Sequence, residues 1–361
     1  MKKLILFYPS FERGGVKRNF LNFIDTVKRG NYEIHIITDK RIKKKFLNKN
    51  IILHIINKKV IPRIFYKFFS SFIAIYYLTI LLFKYNLKDK IVYSFQSSFF
   101  PSIVCFFFRV KFLIRVSEDP VGATKYANGR LLSLLVFLSK FITYNLSTKI
   151  IVNAKMTKKN VQLFLFRKSK VCLIYNSVIS KILHLKNKRK NVFINVGRLC
   201  KQKNQISLIK AFYYLNKFKK NYKLIICGDG PDRNELKKLC VSLKISKKVK
   251  FYGWVEDLSK TYNESKFFVL SSLYEGLPNA LIDARNHGLV CLSTNVSGAY
   301  DILNDKSLII KNNDTVSIYR KMNYAITNYK KLEKKNRNKK NLNCFLNING
   351  KKSYEKLLSS L

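Results

Sequence analysis

The sequence predicts an α/β protein of two Rossmann-like domains, each built from parallel βαβ units. Three observations support this fold class. The chain has 361 residues, which is long for one hydrophobic core and suits two domains of ordinary size. Short apolar runs alternate with longer amphipathic runs along both halves. Hydrophobic residues make up 47% and aromatic residues 14%, which excludes a disordered chain.

The second half shows the alternation most clearly. Amphipathic segments at 204–218 and 233–243 predict helices, and a short helical segment at 258–265 and a helix opened by Pro278 follow later. Six apolar runs predict the strands between them, at 192–199, 223–230, 249–255, 267–272, 290–295 and 307–311.

The first half has the same character, with helices predicted near 16–28, 64–84 and 131–146. Its apolar runs predict strands at 3–10, 33–39, 51–56, 90–96, 111–117, 149–154 and 170–177. The polar, basic stretch 184–191 lacks periodicity and is interpreted as the linker, and the chain from about 320 is a Lys- and Asn-rich helical tail.

We therefore expect a first domain at 1–185, a second at 186–335 and a helical tail at 336–361 that packs back on the first domain. Two such domains imply a cleft where the carboxyl ends of both sheets meet.

The charge is extreme, since 70 Lys and Arg against 20 Asp and Glu give a formal net charge of +50. The larger share of this excess is attributed to a codon bias toward Lys, Asn and Ile with a solvated basic surface. The alternative is attraction to an anionic partner such as nucleic acid, acidic lipid head groups or phosphorylated substrates.

The cysteines argue against zinc and against a disulfide framework, because they lie far apart with no CxxC pair and no His at ligand spacing. This usage fits a reducing cytoplasm. The start "MKKLILFYPSF" mimics a signal peptide, but Pro9 and Glu12 interrupt its short apolar run, so a first strand is predicted.

The segment 64–83 carries one charge, Lys67, in twenty residues, so its length permits a membrane span. Tyrosines, serines and Thr79 dilute its apolar character. A helix packed in the first domain is the first interpretation, a helix half-immersed in a bilayer surface the second, and a true span the third. The neighbouring basic stretch 58–68 predicts docking on anionic lipid.

Three stretches of the second half lie where strands lead into helices, the edge at which such sheets bind ligands. In "VGRLCKQKN", Gly197 closes a strand, and Arg198 and Lys203 suit a diphosphate. Ordinary surface charge is the alternative. In "CGDGPDRNEL" (227–236), Gly228 and Gly230 around Asp229 predict a tight structural turn that could also let a ligand approach the backbone; the GxGxxG spacing of NAD-binding proteins is absent.

The third stretch, "SLYEGLPNALIDARNHG" (272–288), places Glu275 on a loop and Asp283 inside the helix opened by Pro278. Backbone N–H groups near Leu277 and Asn279 predict an anion site at the helix start. Carboxylates beside a phosphate site suggest acceptors for sugar hydroxyls, so the hypothesis is a nucleotide-sugar site.

In this order, the motifs "VGRL…KN...LI.AF", "GDGP", "GW.ED", "SS.YEGLPNALI.A…G" and "ST.VSG…IL" resemble the family 4 retaining glycosyltransferases of the GT-B fold, whose two Rossmann-like domains face each other across a cleft. The resemblance covers essentially the whole second half. In the first half, "GGVKRNFLNF" resembles the glycine loop after the family's first strand, and "KIIVNAKMTKKNV" resembles its last strand and helix there.

By this resemblance, Arg198 and Lys203 hold the donor diphosphate, Glu275 faces the donor sugar and Asp283 takes the ribose position. Gly14 and Gly15 line the cleft near Arg18, although by themselves they would be interpreted as a strand-to-helix turn. The implied donor-binding set is Gly14, Gly15, Gly197, Arg198, Lys203, Gly228, Glu275, Gly276, Leu277, Pro278, Asn279 and Asp283.

Two departures from the family pattern matter. The family usually has Glu where this chain has Asp283, so the ribose contact becomes weaker or water-bridged. Many members have a His after the strand that "KFLIRVSEDP" resembles, where this chain has Ser117, Glu118 and Asp119. Glu118 or Asp119 serves at the sugar, or caps the loop before Pro120; both interpretations stay open.

The resemblance implies a hexosyltransferase-type enzyme that moves a sugar with retention from a nucleotide diphosphate sugar to a lipid-linked or cell-envelope glycan, as in polysaccharide or lipopolysaccharide synthesis. Glu275, Arg198, Lys203 and Glu118 are its candidate catalytic residues. We expect no metal or other cofactor, no nucleic-acid partner, and a cytoplasmic protein associated peripherally with the inner face of the membrane. The alternatives are a sucrose- or trehalose-synthase-like enzyme with a soluble acceptor and a non-catalytic protein of the same fold that binds anionic surfaces.

Overall fold

The computed structural model describes residues 2–10, 14–28, 30, 32–40, 42–43, 46–56, 66–85, 90–184 and 188–361. The chain divides into two compact units. Unit 1 comprises Met1–Ser177 together with Asn347–Leu361, and unit 2 comprises Val178–Leu346. The domain boundaries predicted from the sequence, 185/186 and 335/336, differ from the boundaries of these units, which fall at 177/178 and 346/347.

The core of unit 1 is a parallel sheet of seven strands within the described residues, ordered β3-β2-β1-β4-β5-β6-β7. The central strands are buried along nearly their whole length, as parallel strands covered on both faces must be. The strands are β1 (Lys2–Tyr8), β2 (Tyr32–Thr38), β3 (Ile51–Ile55), β4 (Lys90–Ser94), β5 (Lys111–Val116), β6 (Lys149–Val152) and β7 (Val171–Leu173).

Helices cover both faces of this sheet. The helices of unit 1 are α1 (Gly15–Val27), α2 (Tyr66–Lys84), α3 (Phe99–Phe107), α4 (Pro120–Lys125), α5 (Arg130–Leu146), α6 (Lys155–Gln162) and, near the end of the chain, α14 (Asn347–Ser359). Helices α1 and α14 contribute to one hydrophobic cluster with β1. Helices α2, α3 and α5 contribute to a second cluster on the opposite face.

Helix α14 is fastened to unit 1 by a buried aromatic and polar contact. Tyr354 packs edge-on against Phe23 of α1, with ring centroids 4.8 Å apart, and its hydroxyl accepts a hydrogen bond from the Arg115 guanidinium. Gly350 lies so close to Ser177 that any added Cβ would overlap the serine hydroxyl. The end of the chain is therefore part of the packing of unit 1.

Unit 2 contains a second parallel sheet, ordered β10-β9-β8-β11-β12-β13. Its strands are β8 (Lys190–Val196), β9 (Lys223–Cys227), β10 (Val249–Gly253), β11 (Ser265–Leu270), β12 (Val290–Thr294) and β13 (Ile309–Ile310). The strand order reverses between β8 and β11, so the loops that leave the carboxyl ends of these two neighbours lie side by side. Ligands of doubly wound sheets bind at such a reversal.

The helices of unit 2 connect these strands. They are α7 (Gln205–Phe218), α8 (Arg233–Ser242), α9 (Ser259–Glu264), α10 (Asn279–Asn286), α11 (Ala299–Leu303), α12 (Thr315–Thr327) and α13 (Tyr329–Asn336). Helices α12 and α13, a 3₁₀ turn at Lys340–Phe345 and α14 make up the helical tail predicted from about 320.

Every strand predicted from the sequence is present. The described part of the apolar segment, residues 66–83, lies in α2, which packs Ala74, Leu78 and Leu82 into the core of unit 1, in agreement with the first interpretation. Among the residues described, no helix is long and apolar enough to cross a membrane. All seven cysteines are free thiols. Most of the basic stretch 58–68 and residues 185–187 of the predicted linker lie outside the described residues.

Candidate donor-binding site

In unit 2, the loops that follow β8, β9 and β11 leave the same edge of the sheet. The glycine turn after β9 closes tightly on the loop after β8. Gly228 has φ +141°, and an added Cβ would lie 1.9 Å from the Gly197 carbonyl oxygen. The Gly197 N–H donates to the Cys227 carbonyl at 3.0 Å, and the Leu199 N–H to the Asp229 carbonyl at 3.0 Å. Glycine at 228 is therefore required by the approach of two backbones.

Asp229 acts within its own turn, as the structural interpretation predicted. Its Oδ1 accepts the Gly230 N–H at 2.9 Å and lies 3.4 Å from the Arg233 guanidinium. The backbone N–H first, and then Arg233, lower the pKa of this carboxyl group below its ordinary value.

The centre of the site is an ion pair between Lys203 and Glu275. Lys203 ends a 3₁₀ turn at 201–203, and its aliphatic stem lies across Gly197. Its ammonium group contacts Oε1 of Glu275, which also accepts the Ser272 hydroxyl at 2.9 Å. Both side chains are mostly sheltered, with 21% of Lys203 and 13% of Glu275 exposed. The sequence predicted both residues at the donor but not their mutual contact.

This pairing leaves both groups able to bind a ligand. An ammonium carries three N–H donors, so Lys203 can hold Glu275 and a phosphate oxygen together. Within the described part of the chain, Oε2 of Glu275 accepts no hydrogen bond, because both bonds reach Oε1. The two groups of one ion pair can thus bind a phosphate, through Lys203, and a sugar hydroxyl, through Glu275, side by side.

Four further residues, which the sequence did not single out, hold these loops in place, and the first two of them bond one loop to the other. Ser271 donates to the Lys203 carbonyl at 2.8 Å. Gln202 donates through Nε2 to the Tyr274 carbonyl at 3.0 Å, while its own carbonyl accepts the Leu273 N–H at 2.8 Å. The remaining two are Asn313, which donates to the Leu273 carbonyl at 3.2 Å, and Ser272, described above. The Lys203–Glu275 pair is therefore held from both loops.

Helix α10 begins beside this pair. Pro278 is its N-cap rather than its first helical residue, and the Pro278 carbonyl accepts the Leu281 N–H at 3.0 Å. Gly276, Leu277 and Pro278 are buried in the approach to the helix. As predicted, Glu275 lies on the loop and Asp283 within the helix, where it is half-buried. The helix N-terminus adds a positive dipole end to the ammonium of Lys203.

Arg198 lies between Gly197 and the 3₁₀ turn and is exposed at the same edge of the sheet. Its backbone carbonyl accepts the Gln205 side chain at 3.1 Å, which ties the loop to the start of α7. Asn204, in the left-handed conformation at φ 50°, joins the two elements. A guanidinium on a fastened loop can reach a diphosphate with two parallel N–H donors.

His287, at the C-terminal end of α10, packs against neighbouring side chains of unit 2. Its ring stacks on Tyr262 with centroids 5.2 Å apart, and its Nδ1 lies 3.4 Å from Oδ1 of Asn263. Burial first, and then the cations Arg189 and Lys339, lower its pKa to about 4. The imidazole is therefore neutral near pH 7.

In unit 1, Gly14 is the N-cap of α1 at φ +139°, and Gly15 is the first helical residue; both are exposed. Glu118 is half-exposed and forms an ion pair with Lys140 at 3.0 Å. Asp119 caps α4 by accepting the Gly122 N–H at 2.7 Å and also accepts Nδ2 of Asn160 at 2.6 Å. Asp119 thus has the capping role that was one of its two interpretations, whereas the role of Glu118 stays a prediction.

The fold is the GT-B fold of glycosyltransferases. HepE from Anabaena, solved in complex with UDP-glucose, superimposes with a TM-score of 0.78 at 15% identity, over 100% of both chains. Sucrose-phosphate synthase from Thermosynechococcus elongatus superimposes with a TM-score of 0.79 at 13% identity, also over 100% of both chains. The predicted fold class is confirmed.

Residues 180–342, a little under half of the chain, match the family model described as glycosyl transferases group 1. An uncharacterized glycosyltransferase of Methanocaldococcus jannaschii is 33% identical over 207 residues, 54% of this chain and 50% of the relative. The GalNAc-alpha-(1->4)-GalNAc-alpha-(1->3)-diNAcBac-PP-undecaprenol alpha-1,4-N-acetyl-D-galactosaminyltransferase of Campylobacter jejuni is 33% identical over 142 residues, 38% of this chain and 39% of the relative. The matches thus span half or less of each relative. The predicted group is confirmed, and its narrower assignment to family 4 stays a prediction.

Proposed function

We propose that the chain is a retaining glycosyltransferase that moves a sugar from a nucleotide diphosphate sugar to a hydroxyl of a lipid-linked or cell-envelope glycan. One observation carries the proposal: Lys203 and Glu275 pair at the reversal of the strand order, beside the start of α10, within the matched transferase domain. A cation, a carboxylate and a helix N-terminus together complement a phosphorylated sugar.

In the proposed donor complex, Lys203 and Arg198 bind the diphosphate and the start of α10 faces it. Glu275 accepts a hydroxyl of the donor sugar through Oε2, and Asp283 accepts the ribose. As the bond between the anomeric carbon and the phosphate oxygen breaks, negative charge grows on the leaving diphosphate. Two fixed cations and a helix dipole stabilise this charge more in the transition state than in the ground state, which lowers the barrier. No metal or other cofactor enters the proposal.

The proposed acceptor is a lipid-linked glycan. The support is the Campylobacter relative, whose name gives a glycan joined through a diphosphate to undecaprenol. Such an acceptor places the enzyme in the cytoplasm, peripherally on the inner face of the membrane. Glu118, half-exposed in unit 1 and paired with Lys140, is the proposed acidic contact on the sugar.

The second candidate function is transfer to a soluble acceptor, which the likeness to sucrose-phosphate synthase favours. The two functions differ in the acceptor that supports turnover, since a soluble sugar or sugar phosphate would replace the lipid. A non-catalytic protein of the same fold that binds anionic surfaces is the remaining alternative. It predicts binding of anionic vesicles without any turnover of a nucleotide sugar.

The test is a transfer assay with purified protein, a panel of nucleotide sugars and two acceptor pools. The pools are a lipid extract containing undecaprenyl-diphosphate glycans and a set of soluble sugars and sugar phosphates. We expect label to move into the lipid fraction, with unchanged rate in the presence of a chelator and with the anomeric configuration of the donor kept in the product. Transfer only to the soluble pool would replace the first function with the second, and release of no nucleoside diphosphate from any donor would exclude both.

A further inference from the structure

One face of unit 1 is apolar on its outer side. Helices α2, α3 and α5 cover the same face of the seven-stranded sheet, and α3 packs against both of the others. On α5, the exposed residues Leu131, Leu134, Leu135, Leu138 and Ile142 recur at helical spacing and form a single stripe. Only Thr143 and Tyr144 of that helix are buried. Helix α5 thus presents leucines to its outer side.

Helices α2 and α3 extend this surface. On α2, Phe72, Tyr76, Ile80 and Phe83 are exposed at spacings of one helical turn, and 75% of Phe83 is accessible. On α3, 77% of Phe107 is accessible. We call the outer sides of α2, α3 and α5 the apolar face.

Ring contacts join the α2 and α3 parts of the apolar face. Phe72 of α2 lies 5.5 Å from Phe100 of α3 between ring centroids, and Phe83 meets Phe108 edge-on at 4.9 Å. Exposed aromatic and aliphatic side chains that recur on three neighbouring helices differ from the single scattered apolar residues of an ordinary surface, and such groups mark interaction sites.

The charged residues of these three helices indicate which kind of partner the apolar face binds. None of the three helices contains Asp or Glu. Lys84 ends α2, and Arg130 stands in the first turn of α5, where the helix dipole disfavours a cation unless an anion lies nearby. A second copy of this chain would carry the same formal charge of +50 and would be repelled. A nucleic acid would not bury leucine and phenylalanine stripes.

We propose that the apolar face docks on the surface of an anionic phospholipid bilayer, with the α5 stripe entering the boundary between head groups and acyl chains. Apolar stripes flanked by basic residues bind such interfaces. The inference rests on the proposed function, because a lipid-linked acceptor lies in a membrane and the enzyme must reach it from the membrane surface. It goes beyond that function by assigning the docking to named helices of unit 1.

The test is co-flotation of the full chain with vesicles, either phosphatidylglycerol mixed with phosphatidylcholine or phosphatidylcholine alone. We expect binding to the anionic vesicles, weakened by salt, and at least about tenfold loss of affinity in the double variant Leu134→Ser and Leu138→Ser. The matched control is Phe218→Ser with Val241→Ser, which removes exposed apolar side chains from unit 2. Arg130→Gln should weaken binding and reduce its dependence on salt.

A second readout separates this proposal from the proposed function. The same variants are titrated with UDP, GDP, ADP and dTDP, whose binding to unit 2 should not change. Wild-type protein that binds a nucleoside diphosphate but neither kind of vesicle overturns the docking proposal alone. Equal binding to both kinds of vesicle overturns the anionic partner, equal loss in the unit 2 control overturns the assignment to this face, and a dimer dissolved by the α5 variant would show that a second copy covers it. Vesicle binding without any nucleotide binding would sink the proposed function and leave the docking intact.

Discussion

Glu275→Gln is the substitution that separates chemistry from packing at the proposed donor site. Glutamine keeps the size of the side chain and an oxygen acceptor, so Lys203 and Ser272 can still donate to it. The substitution removes the negative charge beside the sugar. If Glu275 stabilises the transition state, turnover should fall while nucleoside diphosphate affinity changes little.

The structure sets the size of both effects. Hydrogen bonds to a charged group contribute about 1.5–3 kcal/mol, and those to a neutral group about 0.5–1.5 kcal/mol. The substitution should therefore lower the free energy of unfolding by about 1 kcal/mol. The melting temperature of a domain of the size of unit 2 would then fall by about 2–4 °C. With a free energy of unfolding of about 5–15 kcal/mol, nearly all molecules stay folded. Loss of one electrostatic contact to a transition state typically lowers turnover by about 10²–10³-fold. Such a fall in turnover could not arise from unfolding.

The assay measures turnover, nucleoside diphosphate affinity and melting temperature on the same preparations. The matched control is Glu264→Gln, because Glu264 also pairs with a lysine of unit 2, Lys190, at 2.5 Å, at the opposite end of β8 from the site. The control should keep full turnover. Full turnover in folded Glu275→Gln protein would refute the catalytic role and reduce the Lys203–Glu275 pair to a structural brace.

Three further predictions follow from the same unit. Asp283→Ala should weaken binding of the bare nucleoside diphosphate about tenfold, as expected for a lost ribose hydrogen bond, whereas Asp283→Glu should preserve or tighten it; a lower melting temperature with unchanged affinity would make Asp283 only a brace of α10. Gln202→Ala removes the side-chain bond to Tyr274 and should raise the KM for the donor several-fold, and an unchanged KM would mean that backbone contacts alone fix the two loops. His287 has a folded pKa of about 4 against an unfolded value of about 6.5, so its contribution of about 1–3 kcal/mol is present above pH 6.5 and is lost as the pH falls toward 4. The fall in melting temperature across that window should shrink in His287→Asn, and an equal fall in both proteins would assign it to other groups.

The strands were predictable because parallel strands covered on both faces read as continuous apolar runs. Helix α3 was not, because Phe99–Phe107 is apolar nearly all round and carries Pro101, so no polar face marks its period. The N-terminus of α10 was predicted within one residue, since Pro278 signals a helix start whether it is the N-cap or the first helical residue.

The site was predictable only in part. Turn residues at strand ends identified Lys203 and Glu275, but the contact between two residues 72 positions apart depends on β8 and β11 being neighbours in the sheet. The clamps by Gln202 and Asn313 left no signal, because a single amide in a polar loop looks the same whether it faces water or a carbonyl. The sequence therefore indicated which loops matter and not how they are fastened.

The most direct test of the central claim, that the edge of the unit 2 sheet at Lys203 and Glu275 binds the diphosphate of a nucleotide sugar, is ligand protection against thermal unfolding. Wild-type protein is melted with a panel of nucleotide sugars and nucleoside diphosphates, beside Arg198→Ala, Lys203→Ala and the double variant. At a ligand concentration about 100 times its Kd, the bound wild type should gain about 2.7 kcal/mol. Each single variant should bind about tenfold to a hundredfold more weakly, and the double variant should lose the protection. Absence of protection by every member of the panel, or equal protection of the wild type and the double variant, would contradict the account.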